Sequence, residues 1–211
     1  MIGAVTALVF SLYPQLDVQF VALFYDARSR TWPYADNAFL QGFRKSNTVI
    51  TVMVAVAAAA ALALRVVRPQ ARLLMSARVA IFLLATLAVG PGLVTNTALK
   101  PYWGRPRPQE LTQFGETLDF VAWWNPFGRC DSNCSFVSGE ASSAFWLLAL
   151  AVVLPARYRV WGVLAVVAYG LAIGLARIAM GGHFVTDVAF AGVFTALAIW
   201  LVHGVIFRWS R

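Results

Sequence analysis

Apolar residues occur along this chain in six long runs, separated by shorter polar or basic stretches. The runs cover roughly residues 2–13, 47–64, 79–98, 141–154, 160–175 and 188–207. Most of them approach the ~20 residues that an α-helix needs to cross the hydrocarbon core of a bilayer. The pattern predicts an all-α integral membrane protein, a six-helix bundle that forms a single domain over residues 1–211.

The first run is shorter than the others. Its 12 residues rise only ~18 Å as a helix, whereas the hydrocarbon core is ~30 Å thick. The helix is therefore expected to continue past Pro14, unless the native start lies upstream of Met1. Because Met1 is followed by neither a basic segment nor a small-residue cleavage site, we expect this run to stay as an anchor and not to be removed as a signal peptide.

The segment after the first run mixes apolar and polar residues. Leu16, Phe20, Leu23 and Phe24 follow helical spacing beside Asp17, Gln19 and Asp26. This pattern is typical of an amphipathic helix that lies in the membrane interface. A polar connector that carries some apolar residues fits the pattern equally well.

Two glycine patterns concern helix packing. Gly170 and Gly174 form a G-x-x-x-G pattern, which predicts close contact with a neighbouring helix. The tripeptide Gly90-Pro91-Gly92 predicts a kink in the third helix, because proline removes a backbone hydrogen bond.

Composition indicates that lipid is the main solvent of this chain. Its residues are 60% hydrophobic and 12% charged, and the mean hydropathy of +0.70 is too high for a soluble globular domain. A net charge of +8 would suggest a nucleic-acid partner in a soluble protein. Here the basic residues form short clusters between apolar runs, which is how membrane orientation is encoded, so we expect no nucleic-acid partner.

The charges also predict an orientation. If the connections alternate between the two membrane faces, one face receives only basic residues and the other receives all nine acidic residues. The basic face carries Arg65, Arg68, Arg72, Arg78, Arg157, Arg159, Arg208 and Arg211. The positive-inside rule makes this face cytoplasmic, so loops 14–46, 99–140 and 176–187 face outward. The margin is narrow, because the outward loops hold the other nine of the 17 Lys and Arg residues.

Cys130 and Cys134 are the only cysteines, and this topology places both in the long outward loop. In an oxidising compartment we expect them to form a disulfide, and the alternative is two free thiols. A metal site is not expected, because no histidine lies nearby to complete a set of ligands.

The first candidate for chemistry is the stretch from Lys100 to Pro108, at the outward end of the third helix. Lys100 offers a compact cation and Arg107 a planar fork, a combination suited to phosphate oxygens. Alone, the stretch would be read instead as a basic interfacial anchor, with Tyr102 and Trp103 in the headgroup belt.

The second candidate leads into the fourth helix. Ser138 is a natural N-cap, and Gly139 lets an anion approach the free amide groups of the first helical turn. The alternative is plain N-capping, with Glu140 as a favourable acid in the first turn.

The third candidate runs from Arg177 to Asp187. His183 and Asp187 are four residues apart, so on the helix that we expect to begin here they share a face. Asp187 can then hold one imidazole nitrogen while the other attacks a substrate.

Together these stretches resemble the three-part signature of the type 2 phosphatidic acid phosphatase superfamily. The match consists of Lys100-x6-Arg107-Pro108, Ser138-Gly139 and Arg177-x5-His183-x3-Asp187, over residues 100–187. The resemblance implies that His183 becomes a phosphohistidine, that Asp187 orients it, and that the reaction needs neither metal nor cofactor. It also assigns phosphate binding to Lys100, Arg107, Arg177 and the backbone of Ser138 and Gly139.

The chain departs from the family pattern at three positions. Val137 and Glu140 stand where the family usually has Pro and His, and Ala176 stands where it usually has Ser. In the family that His donates a proton to the leaving alcohol, and this chain offers Glu140 in its place. Arg105 is an additional cation to which no role is assigned.

The resemblance implies a phosphatase of the bacterial inner membrane, with its site at the outward, periplasmic helix ends and no obligatory protein partner. It points to lipid A, at the 1 or 4′ phosphate, before phosphatidylglycerol phosphate or undecaprenyl diphosphate. The alternatives are a lipid phosphotransferase and, because of Glu140, a degenerate member that binds anionic lipid without turnover. A channel or transporter is disfavoured, since the charges cluster at helix ends and not at the midplane.

Overall fold

The computed structural model describes residues 2–70 and 75–208. Within these ranges the chain forms helices and no strands, which confirms the all-α prediction. The α-helices are α1 (Ile2–Leu12), α2 (Gln15–Ala22), α3 (Ala38–Val67), α4 (Ala77–Leu87), α5 (Lys100–Trp103), α6 (Gly139–Trp146), α7 (Leu148–Val152), α8 (Ala156–Ala179) and α9 (Val185–His203). Segments Ala88–Leu99 and Gly204–Arg208 are π-helical, and Pro108–Glu110 and Thr112–Phe114 are 3₁₀-helical.

Among the described residues, four helical stretches are long and apolar enough to cross a membrane, which makes this a multi-pass membrane protein. They are Ala38–Val67, Ala77–Glu110, Ala156–Ala179 and Val185–Phe207. The bent pair α1 and α2 would add a fifth span. The apolar helix Gly139–Val152, formed by α6 and α7, is shorter than a span, so the count of six stays a prediction.

The length of the first apolar run led us to expect a helix that continues past Pro14. The structure shows a sharp bend there instead. The axes of α1 and α2 meet at 94°, because Pro14 has no amide hydrogen to continue the helical pattern. The second segment is helical, as the amphipathic interpretation predicted, but Asp17 is only 1% exposed and does not lie on a polar outer face.

Small residues let α8 approach its neighbours closely. A side-chain carbon at Gly170 would overlap the ring of Phe145 on α6, and one at Gly174 would overlap Val188 on α9. The close contact predicted from the G-x-x-x-G pattern is therefore confirmed. Because α6, α8 and α9 begin or end at the same end of the bundle, their packing brings the second and third signature stretches together.

The Gly90-Pro91-Gly92 segment lies in the π-helical stretch that continues α4. Asn96 donates a hydrogen bond to the Pro91 carbonyl at 2.7 Å, and Thr97 donates one to the Gly92 carbonyl at 3.2 Å. Both bonds span five residues, which is the spacing of a π-helical turn. Helix α5 continues this stretch and delivers Lys100 to the site, and Gly104 ends it with a left-handed backbone, φ of +62°.

Candidate active site

His183 lies in the turn of residues 180–184 that joins α8 to α9. We expected it on the helix, but it precedes the first residue of α9 by two positions. Gly181 has a left-handed backbone, with φ of +71°, so the helical conformation of α8 does not continue into α9. The imidazole of His183 is completely buried.

Nδ1 of His183 is held by the backbone and not directly by Asp187. It lies 2.9 Å from the carbonyl oxygen of Ser135 and 3.7 Å from the nearer carboxylate oxygen of Asp187. Only the first distance is a hydrogen bond. The Ser135 hydroxyl donates to the same Asp187 oxygen at 2.5 Å, and the Phe184 amide donates to it at 2.8 Å. With its proton on Nδ1, His183 keeps the lone pair on Nε2.

Nε2 of His183 is buried and has no hydrogen-bond partner among the described residues. Burial lowers the pKa of His183 from 6.5 to about 4, and the charges of Arg177 and Arg107 act in the same direction against Asp187. The imidazole is therefore neutral near pH 7. A neutral imidazole with a free Nε2 lone pair is the form that can attack phosphorus.

One asparagine organises the two cations of the first signature stretch. Lys100 Nζ donates to the side-chain oxygen of Asn133 at 2.9 Å, and Arg107 donates to its backbone carbonyl through Nε at 3.0 Å and Nη2 at 2.8 Å. Asn133 itself has a left-handed backbone, with φ of +50°. The arrangement holds an ammonium and a guanidinium group side by side.

The second signature stretch lies against the first. The Ser138 hydroxyl accepts a hydrogen bond from the Ala141 amide at 3.3 Å, so Ser138 is the N-cap of α6, as predicted. A side-chain carbon at Gly139 would lie 3.5 Å from Nζ of Lys100. The Ser138 amide donates to the Asp187 carbonyl at 3.2 Å, which ties the start of α6 to the start of α9.

The Glu140 carboxylate forms ion pairs with two guanidinium groups. Its carboxylate lies 2.7 Å from Nε of Arg177 and 3.1 Å from Nη1 of Arg44. Asn47, which is fully buried, donates to the Glu140 carbonyl at 3.0 Å. Two guanidinium groups favour the ionised carboxylate, so a proton on Glu140 requires that at least one of these contacts weaken.

Behind the histidine lies a buried charge network that sequence analysis did not find. Nη1 of Arg105 is 2.6 Å from Asp187, and Nη2 is 2.9 Å from Asp17. All three side chains are at most 1% exposed. Arg105, to which no role had been assigned, is therefore the partner of the predicted orienting residue.

A disulfide joins Cys130 and Cys134, whose Cα atoms are 5.7 Å apart. It closes the short loop that carries Asn133, and Ser135 follows it directly. The described residues hold no group of His, Cys, Asp and Glu side chains arranged for a metal ion.

The structure thus brings together every predicted site residue and adds five that sequence reasoning missed. The additions are Asp17, Arg44, Asn47, Arg105 and Asn133. A charged residue within an apolar segment is costly unless it has a function or a partner. That signal was present at Asp17, although it could not name the partner.

Comparison with known proteins agrees with this geometry. Residues 78–211 match the PAP2 superfamily. The lipid A 4′-phosphatase of Francisella tularensis subsp. novicida (strain U112) is 34% identical over 206 residues, which cover 94% of this chain and 90% of that protein. No solved structure matches the chain.

Two further relatives match over a shorter segment. The lipid A 4′-phosphatase of Rhizobium etli is 44% identical over 105 residues, or 50% of this chain and 41% of that protein. The lipid A 4′-phosphatase of Rhizobium leguminosarum is 42% identical over 105 residues, or 50% of this chain and 45% of that protein. The sequence match, the signature residues and the helical membrane fold agree, and the chain belongs to the PAP2 superfamily.

Proposed function

We propose that this chain is a lipid phosphatase of the bacterial inner membrane that hydrolyses a phosphate monoester of lipid A through a phosphohistidine on His183. The observation that carries the proposal is the buried Nε2 of His183, which has no hydrogen-bond partner in the described part of the chain. The same site contains Lys100, Arg107 and Arg177. Their positive charges would bind the phosphate and stabilise the charge that develops during its transfer.

Two displacements account for the reaction. In the first, Nε2 of His183 attacks phosphorus, the N–P bond forms, and the bond from phosphorus to the lipid oxygen breaks. The leaving alkoxide takes a proton from Glu140. In the second, water attacks phosphorus and gives a proton to the Glu140 carboxylate, the N–P bond breaks, and inorganic phosphate leaves.

Glu140 can donate that proton only if its ion pairs change on substrate binding. A phosphate dianion is a stronger competitor for Arg177 than a single carboxylate, because it carries more charge and more acceptor oxygens. We propose that the arriving phosphate draws Arg177 away from Glu140. The same negative charge then raises the affinity of Glu140 for a proton.

The names of the relatives support lipid A, and its 4′ phosphate, as the substrate. Phosphatidylglycerol phosphate and undecaprenyl diphosphate are the substrates to compare with it. Each presents a phosphate on an amphiphile at the membrane surface, as a site at helix ends requires.

We propose that the site faces the periplasm. It lies where the spans Ala77–Glu110 and Ala156–Ala179 end and where Val185–Phe207 begins. Basic residues flank the opposite ends, as the positive-inside rule requires of the cytoplasmic face. Of the residues on which this orientation was predicted, Arg72 and Arg211 lie outside the described ranges.

The test is transfer of radioactive phosphate from lipid A labelled at the 4′ position. Wild-type protein in detergent should release inorganic phosphate and, after a denaturing alkaline quench that preserves N–P bonds, should carry label. His183→Gln should do neither. The matched control is His203→Gln, which alters the second of the two histidines and should retain both signals. Undiminished turnover by His183→Gln would contradict the proposal.

A further inference from the structure

The Asp17–Arg105 ion pair takes no part in the reaction scheme, although it is buried beside the residues that do. We propose that Asp17 and Arg105 are positioning residues that fix the orientation and charge of Asp187, and through it those of His183. This inference rests on the proposed function, since turnover is its readout. Asp17 lies on α2 and is thus contributed by the N-terminal bent helix pair, outside the three signature stretches.

Arg105 is held rigidly in one orientation. Its guanidinium carbon lies 4.2 Å from the ring centre of Phe184 and 5.5 Å from that of Phe120. Nε donates to the Val121 carbonyl at 2.9 Å. Nη1 donates to the carboxylate of Asp187, and Nη2 donates to that of Asp17. A planar fork fixed on all sides can hold Asp187 in a single geometry, which a flexible ammonium group could not.

Asp17 also holds the residue that precedes Asp187. It accepts hydrogen bonds from the amide of Thr186 at 3.1 Å and from its hydroxyl at 2.5 Å. Thr186 precedes Asp187 in the first turn of α9 and also accepts from Arg105 at 2.7 Å. Asp187 is therefore anchored through its own side chain and through its neighbour in the chain.

The net charge of Asp17, Arg105 and Asp187 also affects the imidazole ring of His183. Asp187 with Arg105 alone would be a neutral pair, which offers little to a positively charged imidazole ring. Asp17 accepts hydrogen bonds from Arg105 and from the amide and hydroxyl of Thr186, which favour its carboxylate form and give the buried group a formal charge of −1. When Nε2 bonds to phosphorus while Nδ1 keeps its proton, the ring becomes cationic, and the net negative charge behind it stabilises that intermediate.

The test compares the single variants Asp17→Asn and Arg105→Met with the double variant. Asp17→Asn leaves the buried group neutral, and Arg105→Met leaves two carboxylates unpaired. Each should lower kcat about 10-fold or more, with little change in KM because Lys100, Arg107 and Arg177 are untouched. The double variant restores a formal charge of −1 on Asp187 but lacks the Arg105 fork, so its kcat should exceed that of Arg105→Met, in which two unpaired carboxylates repel each other.

Two controls keep a folding defect apart from the proposed role. Rates are normalised to folded protein, measured by size-exclusion chromatography and thermal unfolding in detergent. Asp26→Asn removes an exposed acid whose contacts, to residues 28 and 29, are local and should leave kcat unchanged.

The inference is overturned if wild-type protein turns over lipid A and Asp17→Asn keeps its kcat, or if KM rises while kcat stays constant. It is also overturned if the double variant is no faster than Arg105→Met. Absence of turnover in the wild type would instead count against the proposed function.

Discussion

Nδ1 of His183 lies 2.9 Å from the backbone carbonyl oxygen of Ser135. A carbonyl oxygen can only accept a hydrogen bond, so this contact alone requires the proton on Nδ1 and leaves Nε2 free. Asp187, which the signature assigns as the orienting residue, is 3.7 Å away and acts through the Ser135 hydroxyl and the Phe184 amide. The Ser135 carbonyl therefore fixes the Nδ1–H tautomer of His183, and Asp187 supplies the negative charge beside the ring.

Asp187→Asn should therefore lower kcat by less than the ~10⁴-fold that is lost when a triad carboxylate is replaced and the histidine takes the wrong tautomer. The Ser135 carbonyl still holds Nδ1–H, whereas the negative charge and one of the two acceptor oxygens are lost. Steady-state kinetics on lipid A measures the loss. A fall of ~10⁴-fold or more would mean that Asp187 controls the tautomer after all.

Stability should depend on pH through His183. Its pKa is lowered to about 4 in the folded protein, from 6.5 in an unperturbed chain, so the unfolded chain binds a proton in this range and the folded protein does not. The contribution of His183 to stability is therefore present above pH ~6.5 and declines by up to ~1.4 kcal/mol per pH unit as the pH falls towards ~4.

Thermal unfolding of wild type and His183→Gln in detergent, from pH 7 to pH 4, measures this effect. The wild type should lose more stability than the variant as the pH falls, because only the wild type has this histidine to protonate on unfolding. Parallel curves for the two proteins would show that His183 titrates normally in the folded state.

Gly182 should be essential for the placement of Arg177. A side-chain carbon at Gly182 would lie 2.5 Å from Nη2 of Arg177, so Gly182→Ala should displace the guanidinium group. A displacement of about 1 Å in a site of this kind can cost ~10²-fold in rate, and we expect kcat/KM to fall 10- to 100-fold.

The matched control for that substitution is Gly42→Ala, where the added carbon would have nothing within 4 Å. It lies on α3 and should leave kcat/KM unchanged. Equal kcat/KM values for the two variants would show that Arg177 accommodates the added methyl group without cost.

The signature residues could be predicted because each lies at a helix end that hydropathy identifies. Lys100, Arg177 and Asp187 belong to spans that end or begin on the same face, so topology alone brings them together. The local cap at Ser138 followed from residue type and position in the same way.

The charge network could not be predicted, because it joins residues that no local pattern relates. Arg105 is 88 residues from Asp17 and 82 from Asp187. Asn133 lies in an irregular loop, where neither helical nor strand periodicity applies. The turn at Gly181 also moved His183 off the helix, since the left-handed backbone of a glycine is not a periodic feature.

The proposed orientation can be tested with single cysteines in a background that lacks Cys130 and Cys134. A cysteine at the exposed residue Thr117, in the loop beside the site, should react from the periplasm with a membrane-impermeant thiol reagent. A cysteine at the exposed residue Gln70, after α3, should react only once the cells are opened. The reverse pattern of labelling would place the site in the cytoplasm.

The role of Glu140 as proton donor gives the most discriminating prediction. General acid catalysis contributes ~10²- to 10⁴-fold when it assists a poor leaving group such as a lipid alkoxide, and little for a good one. Glu140→Gln should therefore lower the rate of the first displacement on lipid A, measured as release of the lipid alcohol in the first turnover, within that range. First-turnover release of phenolate from an aryl phosphate should be largely unchanged, because a phenolate departs without a proton. Glu116→Gln, which alters an exposed acid, is the control and should affect neither substrate.

The ion pairs of Glu140 make the outcome informative in both directions. The glutamine variant would also remove the negative charge from the contacts of 2.7 Å with Arg177 and 3.1 Å with Arg44, together with one of the two acceptor oxygens. If Glu140 serves only to hold these two guanidinium groups, phosphate binding is weakened for every substrate, and both rates should fall equally with a rise in KM. A selective loss on lipid A, with KM maintained, requires a proton from Glu140, because the aryl and lipid phosphates share the same cations and differ in the leaving group.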